Sequence, residues 1–170
     1  MTSDFNEIYS DLIDLELTKT TRAADMECLK FGTHYVENEK GVKSNVGEIS
    51  LHIQCHWRLT DNNRIIVGSS DLYEPVDETV EYDENFNYSK INSNFRDIEF
   101  RKFIKETKPR VKTLNIDSYG GIEIYFENNI KLIAYSFSGS KNGDNEYWRI
   151  FDNRNESRKH LISKSTGIEN

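Results

Sequence analysis

The residues of this chain best equipped for chemistry stand together at His52, Cys55 and His56. Imidazole and thiolate are ligands that zinc favours, so the triplet invites a metal reading. The surrounding pattern answers it. Ile49, Leu51, Ile53, Cys55, Trp57 and Leu59 alternate with Ser50, His52, Gln54, His56 and Arg58. That is period two, and it predicts one strand from Gly47 to Leu59. On a strand His52 and His56 share a face but lie roughly 13 Å apart, and Cys55 points the opposite way. One ion does not reach all three, so no metal site is expected. A polar row remains, made of His52, Gln54, His56 and Arg58, which lines a cleft if another element covers it. Together with Arg22 and Asp25 it forms the candidate set for a small-molecule binder or an enzyme.

Other catalytic patterns are missing. Asp71 and Glu74 are two carboxylates three positions apart, but a loop at that spacing sets no acid–base geometry. There is no Gly-rich phosphate loop, no G-x-S-x-G and no cysteine with an evident basic partner. Glu123 is followed by Ile124 and Tyr125, so the acidic-x-Lys of a metal-dependent nuclease core does not follow Asp117. No catalytic residue and no cofactor is assigned from the sequence.

Charge is more informative. From Asp71 to Ser89 there are seven acids and no Lys or Arg, and the remaining residues hold 22 acids against 22 bases. The formal charge of −7 therefore resides in this one stretch. A localised field of one sign steers an oppositely charged partner, and aromatic side chains supply anchors for it. Tyr73, Tyr82, Phe86 and Tyr88 are interleaved with the acids. The candidate partner-binding residues are accordingly Asp77, Glu78, Glu81, Tyr82, Asp83, Glu84, Phe86 and Tyr88, and the expected partner is a basic protein. The rival reading pairs these acids internally with the basic run Arg96–Lys112, above all with Arg101, Lys102 and Lys105. That run is short and lies just after the acids, so nucleic acid is not an expected partner.

The chain has 170 residues, enough for one domain over 1–170 with a long acidic surface loop at 71–94 inside it. Mean hydropathy is −0.73 and 30% of residues are charged, yet nine Phe, nine Tyr and two Trp can bury enough area to fold. Trp57 and Trp148 are expected in the core, an oligomer interface being their other use. No leader pattern and no apolar run of membrane length is present, so the expectation is a cytoplasmic protein with no membrane partner. Cys28 and Cys55 are too few for a disulfide framework and read as buried, reduced thiols.

The elements that would position these groups follow from periodicity. Phe5, Ile8, Tyr9, Leu12 and Ile13 form a helical stripe and predict a helix over 5–13. Leu15 to Leu17 and Met26 to Val36 read as extended, and Arg64 to Val67 returns beside the long strand after the turn Asp61-Asn62-Asn63. Phe100, Phe103 and Ile104 mark a helix near 97–108 that Pro109 ends. Strands are expected at 110–117, 121–127, 130–137 and 146–152, with a last edge strand at 158–164. Asn128-Asn129 closes a two-residue hairpin, which puts Ile122, Ile124 and Phe126 on a face with Tyr135, Ile133 and Lys131. The fold class is α+β, predominantly antiparallel β, built as a sandwich or partly closed barrel with two helices.

Several strings together resemble an uncharacterised family of small bacterial cytoplasmic proteins. They are Arg22-Ala-Ala-Asp-Met26, Phe31-Gly32, Val46-Gly-Glu48, Leu51-His-Ile-Gln-Cys55, Trp57-Arg58, Gly68-Ser-Ser-Asp-Leu-Tyr-Glu-Pro75, Trp148-Arg-Ile-Phe151 and Thr166-Gly-Ile-Glu169. The resemblance covers nearly the whole chain and implies one domain, without an activity, cofactor or catalytic residue attached. In charge and size the chain is also similar in character to immunity proteins that neutralise cationic toxins.

Overall fold

Two antiparallel sheets, each with one apolar face, enclose a single core. The computed structural model describes residues 3–77, 86–136, 138, 145–155 and 160–169. In chain order the elements are α1 (Ser3–Leu12), β1 (Leu17–Ala23), β2 (Met26–Phe31), β3 (Tyr35–Glu37), β4 (Lys43–Asn45), β5 (Ile49–Ile53), β6 (His56–Thr60) and β7 (Ile65–Gly68). A 3-10 turn (Ser69–Tyr73) follows, then α2 (Phe95–Thr107), β8 (Val111–Ile116), β9 (Ile122–Phe126), β10 (Lys131–Tyr135), β11 (Glu146–Asp152), β12 (His160–Lys164) and β13 (Gly167–Glu169). One sheet runs β1-β2-β5-β11-β12-β13, the other β7-β6-β10-β9-β8, and β3 pairs with β4 as a separate ribbon. The sheets do not close into a barrel. The predominantly antiparallel β class with two helices is what the periodicity predicts.

The expected strand from Gly47 to Leu59 is divided. The chain leaves the first sheet at Ile53, turns through Gln54 and Cys55, and enters the second sheet at His56. Its apolar alternation survives the corner, since Ile49, Leu51, Ile53, Cys55, Trp57 and Leu59 are all buried. Each sheet turns the same side of this segment toward the shared core, so the period is kept while the pairing partners change.

The sheets are also tied along β1 and β8. The Leu17 N–H donates to the Pro109 carbonyl at 2.9 Å, and the Val111 N–H donates to the Leu15 carbonyl at 3.0 Å. A third tie lies at the β8–β9 turn. There the Gly120 carbonyl accepts from Trp148 Nε1 at 2.7 Å and from Ser163 Oγ at 2.9 Å. Gly120 has φ +83°, and a Cβ would sit 2.5 Å from the Ser163 hydroxyl, so only glycine fits. Trp57 and Trp148 are both core residues.

The β9–β10 hairpin differs from expectation by one residue. Asn128 and Asn129 both take positive φ, but the Phe126 N–H donates to the Ile130 carbonyl, so the loop has three residues. Leu132 therefore faces Ile124 and Ala134 faces Ile122 on the buried side, while Lys131, Ile133 and Tyr135 turn outward. A one-residue slip inverts every side chain of a strand. The segment at 158–164 is likewise not an edge, because β13 pairs outside β12.

Helix α2 begins where Asn94 Oδ1 accepts the Asp97 N–H at 2.8 Å. It ends at Lys108, which is left-handed at φ 45°, just ahead of Pro109. Its apolar face lies on the core, with the Phe100 ring 5.4 Å from that of Trp57. α1 buries Ile8 and Leu12 against the first sheet. Among the described residues, no helix is long and apolar enough to cross a membrane.

Candidate docking site at the acidic loop

The acidic stretch leaves the second sheet through the 3-10 turn and returns at α2, and its two ends are clamped together. The Phe95 N–H donates to the Glu74 carbonyl at 2.8 Å, the Val76 N–H donates to the Ser93 carbonyl at 3.2 Å, and Pro75 bridges Asn94. On the entry side Asp71 Oδ2 accepts the Gly68 N–H at 2.7 Å, so this carboxylate caps the 3-10 turn.

Arg22 braces the returning side. One nitrogen, Nη2, donates to the carbonyls of Tyr88 at 2.8 Å and Ser89 at 3.1 Å, while Nε donates to Asp97 Oδ1 at 3.1 Å. Behind it lies a buried ionic network. Arg96 donates through Nε to Glu27 Oε2 at 2.8 Å, through Nη2 to Glu27 Oε1 and Thr20, and through Nη1 to Asp97 Oδ1 at 3.0 Å. Two guanidinium and two carboxylate groups balance, as buried charges must. Burial pushes the Glu27 carboxyl above its ordinary range, against the pull of Arg96. Burial opposes ionisation at Asp97 too, but the Asn92 N–H and the Arg22 guanidinium outweigh it and hold that carboxyl below its ordinary range.

Around these clamped ends large apolar side chains face water. Tyr73, Val76, Tyr88, Ile91 and Phe95 are exposed, and the Tyr73 and Tyr88 rings meet edge to face at 5.0 Å. Glu74 and Asp77, next in sequence to Tyr73 and Val76, are exposed as well, so this surface combines apolar side chains with negative charge.

Of the predicted partner-binding residues, Asp77 and Tyr88 are exposed and Phe86 is half-buried at this site. Glu78, Glu81, Tyr82, Asp83 and Glu84 lie outside the described residues. The polar row is split by the corner. His52 belongs to the first sheet, edge-on to the Phe151 ring at 4.9 Å, and burial lowers its pKa. Gln54, at the corner, donates to Glu146 Oε1 at 3.1 Å. His56 and Arg58 are exposed on the second sheet, with His56 Nδ1 3.3 Å from Ser69 Oγ. Arg22 is the brace described above, and Asp25 is exposed in the β1–β2 turn. The row is thus divided between two sheets.

No group of three or more His, Cys, Asp or Glu side chains among the described residues is placed to hold a metal ion. Burial pushes the Cys55 thiol up to about 12 and raises Cys28, which disfavours the nucleophilic thiolate at both. A cleft of about 590 Å³ lies near Gly120, lined by Asp117, Ser136, Ser138, Tyr147 and Ser165, and none of the candidate residues lines it.

Sequence reasoning missed Glu27, Arg96 and Asp97, because Arg96 and Asp97 sit in a run that reads as a solvated helix surface. It also missed Val76, Ile91 and Phe95. The signal for those three was present, as apolar residues scattered without period through a polar loop. No protein-family model matches this chain, and neither does any curated protein or solved structure.

Proposed function

We propose that the protein is a non-enzymatic binding module that docks a basic protein through the acidic loop and the apolar patch at its base. The observation that carries this reading is the patch itself: five large apolar side chains in water where the loop ends are clamped, at the base of a stretch whose sequence from 71 to 89 holds seven acids and no base. Apolar anchors supply affinity, and a one-signed rim supplies steering and excludes acidic partners. The brace from Arg22 and the strap at Pro75–Asn94 hold the platform before any partner arrives, so less ordering entropy opposes docking. In character this is an immunity-like role in a bacterial cytoplasm, where a small acidic protein neutralises a cationic one.

Two variants test it. Replacing Asp77, Glu78, Glu81, Asp83 and Glu84 by Asn or Gln removes five charges at constant size. Tyr73→Ser with Tyr88→Ser removes the aromatic pair. Affinity capture from the native host should return one cationic protein with the parent chain and lose it with either variant. The charge variant should lower the association rate and its salt dependence, and the tyrosine variant should raise the dissociation rate. Capture of the same partner by all three proteins would place the interface elsewhere. A charge variant that unfolds readily while still binding would show that the acids serve the fold through Arg101, Lys102 and Lys105.

A further inference from the structure

The cleft beside Gly120 lies where the two sheets are tied, and hydroxyl groups dominate its walls. They come from the β8–β9 turn, the residues after β10, Tyr147, the β12–β13 turn and β13. Its volume of about 590 Å³ falls within the range of small-molecule sites. The Ser118 and Thr166 hydroxyls form no hydrogen bond among the described residues. Ser165 Oγ is buried with no hydrogen-bond partner, the one such side-chain atom described, so its hydroxyl is uncommitted too. Charge is sparse. Lys164 gives its ammonium to Glu169 at 2.7 Å, which leaves Asp117 as the uncompensated charge of the lining. Asp117 Oδ1 accepts the N–H groups of Tyr119 at 2.7 Å and Gly121 at 2.9 Å, while Oδ2 accepts none among the described residues.

Tyr119 belongs to the same lining and is 84% exposed, more than any other large apolar side chain described. Ile168, on β13, adds a second exposed apolar group. The turn that carries Tyr119 is nonetheless fixed. The Asp117 N–H donates to the Gly121 carbonyl at 3.0 Å, and Ser136 Oγ donates to the Tyr119 carbonyl at 2.8 Å. Trp148 and Ser163 hold the Gly120 carbonyl from the other sheet. A solvated ring on a fixed backbone is a ready stacking platform, since little ordering opposes its use.

We propose that this cleft binds a neutral saccharide, with the C–H face of a pyranose ring against Tyr119 and its hydroxyls shared among Asp117 Oδ2, Ser118 and Thr166. A sugar ring carries the complementary groups: apolar faces, and a rim of hydroxyls that donate as well as accept. An anion finds no unpaired cation in the lining. An apolar guest would strip water from the hydroxyls and the carboxylate without replacing its hydrogen bonds. The cleft shares no residue with the acidic loop, so the site stands whether or not that loop docks a basic partner.

The methyl glycosides of glucose, galactose, mannose and N-acetylglucosamine are the probes, titrated at millimolar concentration into isotope-labelled protein. At least one should shift the amide resonances of residues 118–121 and 165–168 saturably. Tetrahydropyran, the same ring without hydroxyls, and inorganic phosphate should leave those resonances in place, comparisons that need no variant to fold. Asp117→Asn keeps an oxygen to cap the turn and replaces Oδ2 by a donor, and should weaken the glycoside about tenfold or more. Tyr119→Ala should weaken it about tenfold, whereas Tyr35→Ala, an exposed ring on the β3–β4 ribbon, should change nothing. Equal binding by tetrahydropyran would reduce the site to an apolar patch and overturn the proposal. Phosphate binding at the same amides would overturn it too, as would unaltered affinity in both cleft variants or no saturable shift with any of the glycosides.

Discussion

Arg96 on α2 and Glu27 on β2 form a two-pronged ion pair in which both side chains are at most 4% exposed. Asp97 extends the pair to Arg22, and Arg22 extends it to the returning side of the acidic loop. The loop's platform is therefore mounted on the core through a chain of charged contacts. Removing one charge from such a chain leaves another buried and unpaired, which is where its energetic consequence lies.

Arg96→Met should cost about 3–5 kcal/mol, because Glu27 then has no counter-charge. Adding Glu27→Leu should recover most of that loss, since two apolar side chains replace two desolvated ions. Urea denaturation of both variants checks this. A single variant costing under about 1 kcal/mol would mean that water reaches Glu27.

Trp57→Ala should cost about 3–5 kcal/mol through the cavity it leaves against Phe100. Trp57 lies just past the corner between the sheets, so the same variant should also loosen the junction of β5 and β6. Amide exchange at Cys55 and His56 would report this, rising more than exchange at Leu29 in the middle of the first sheet.

Acid should destabilise the protein through Asp97 and Asp152. Burial opposes ionisation at each, but hydrogen bonds and arginine, Arg22 at Asp97 and Arg154 at Asp152, hold both below the ordinary 3.8. The unfolded chain thus takes up these protons at a higher pH than the folded one. Their stabilisation is complete above about pH 5 and is lost as pH falls through the folded values, below 3.8. Denaturant midpoints at successive pH values should show this slope, and Asp97→Asn should make it shallower.

Lys108→Gly should raise stability by about 0.5–1 kcal/mol, because glycine takes a left-handed helix end without the Cβ penalty. Thermal unfolding of the variant beside the parent would record the gain.

Much of the fold was legible from local pattern. The alternation from Ile49 to Leu59 determined which six side chains are buried, because period two is a property of the extended backbone itself. The breaks at Pro109 and at Asp61-Asn62-Asn63, and the concentration of acids at 71–89, could be read for the same reason: each depends on neighbours in sequence. Tertiary structure decided the rest. It placed the corner at Gln54-Cys55, and so parted His52 from His56, because the point where a strand changes sheets depends on partners far along the chain. The β9–β10 register turned on Glu127 joining the loop, a difference of one residue that only packing of Leu132 and Ala134 against the core selects. The balance of Arg22, Glu27, Arg96 and Asp97 joins positions about seventy apart, and no local period records it. Charge marked the stretch proposed for docking; the clamped loop ends and their exposed aromatic rings emerged only once the chain had closed on itself.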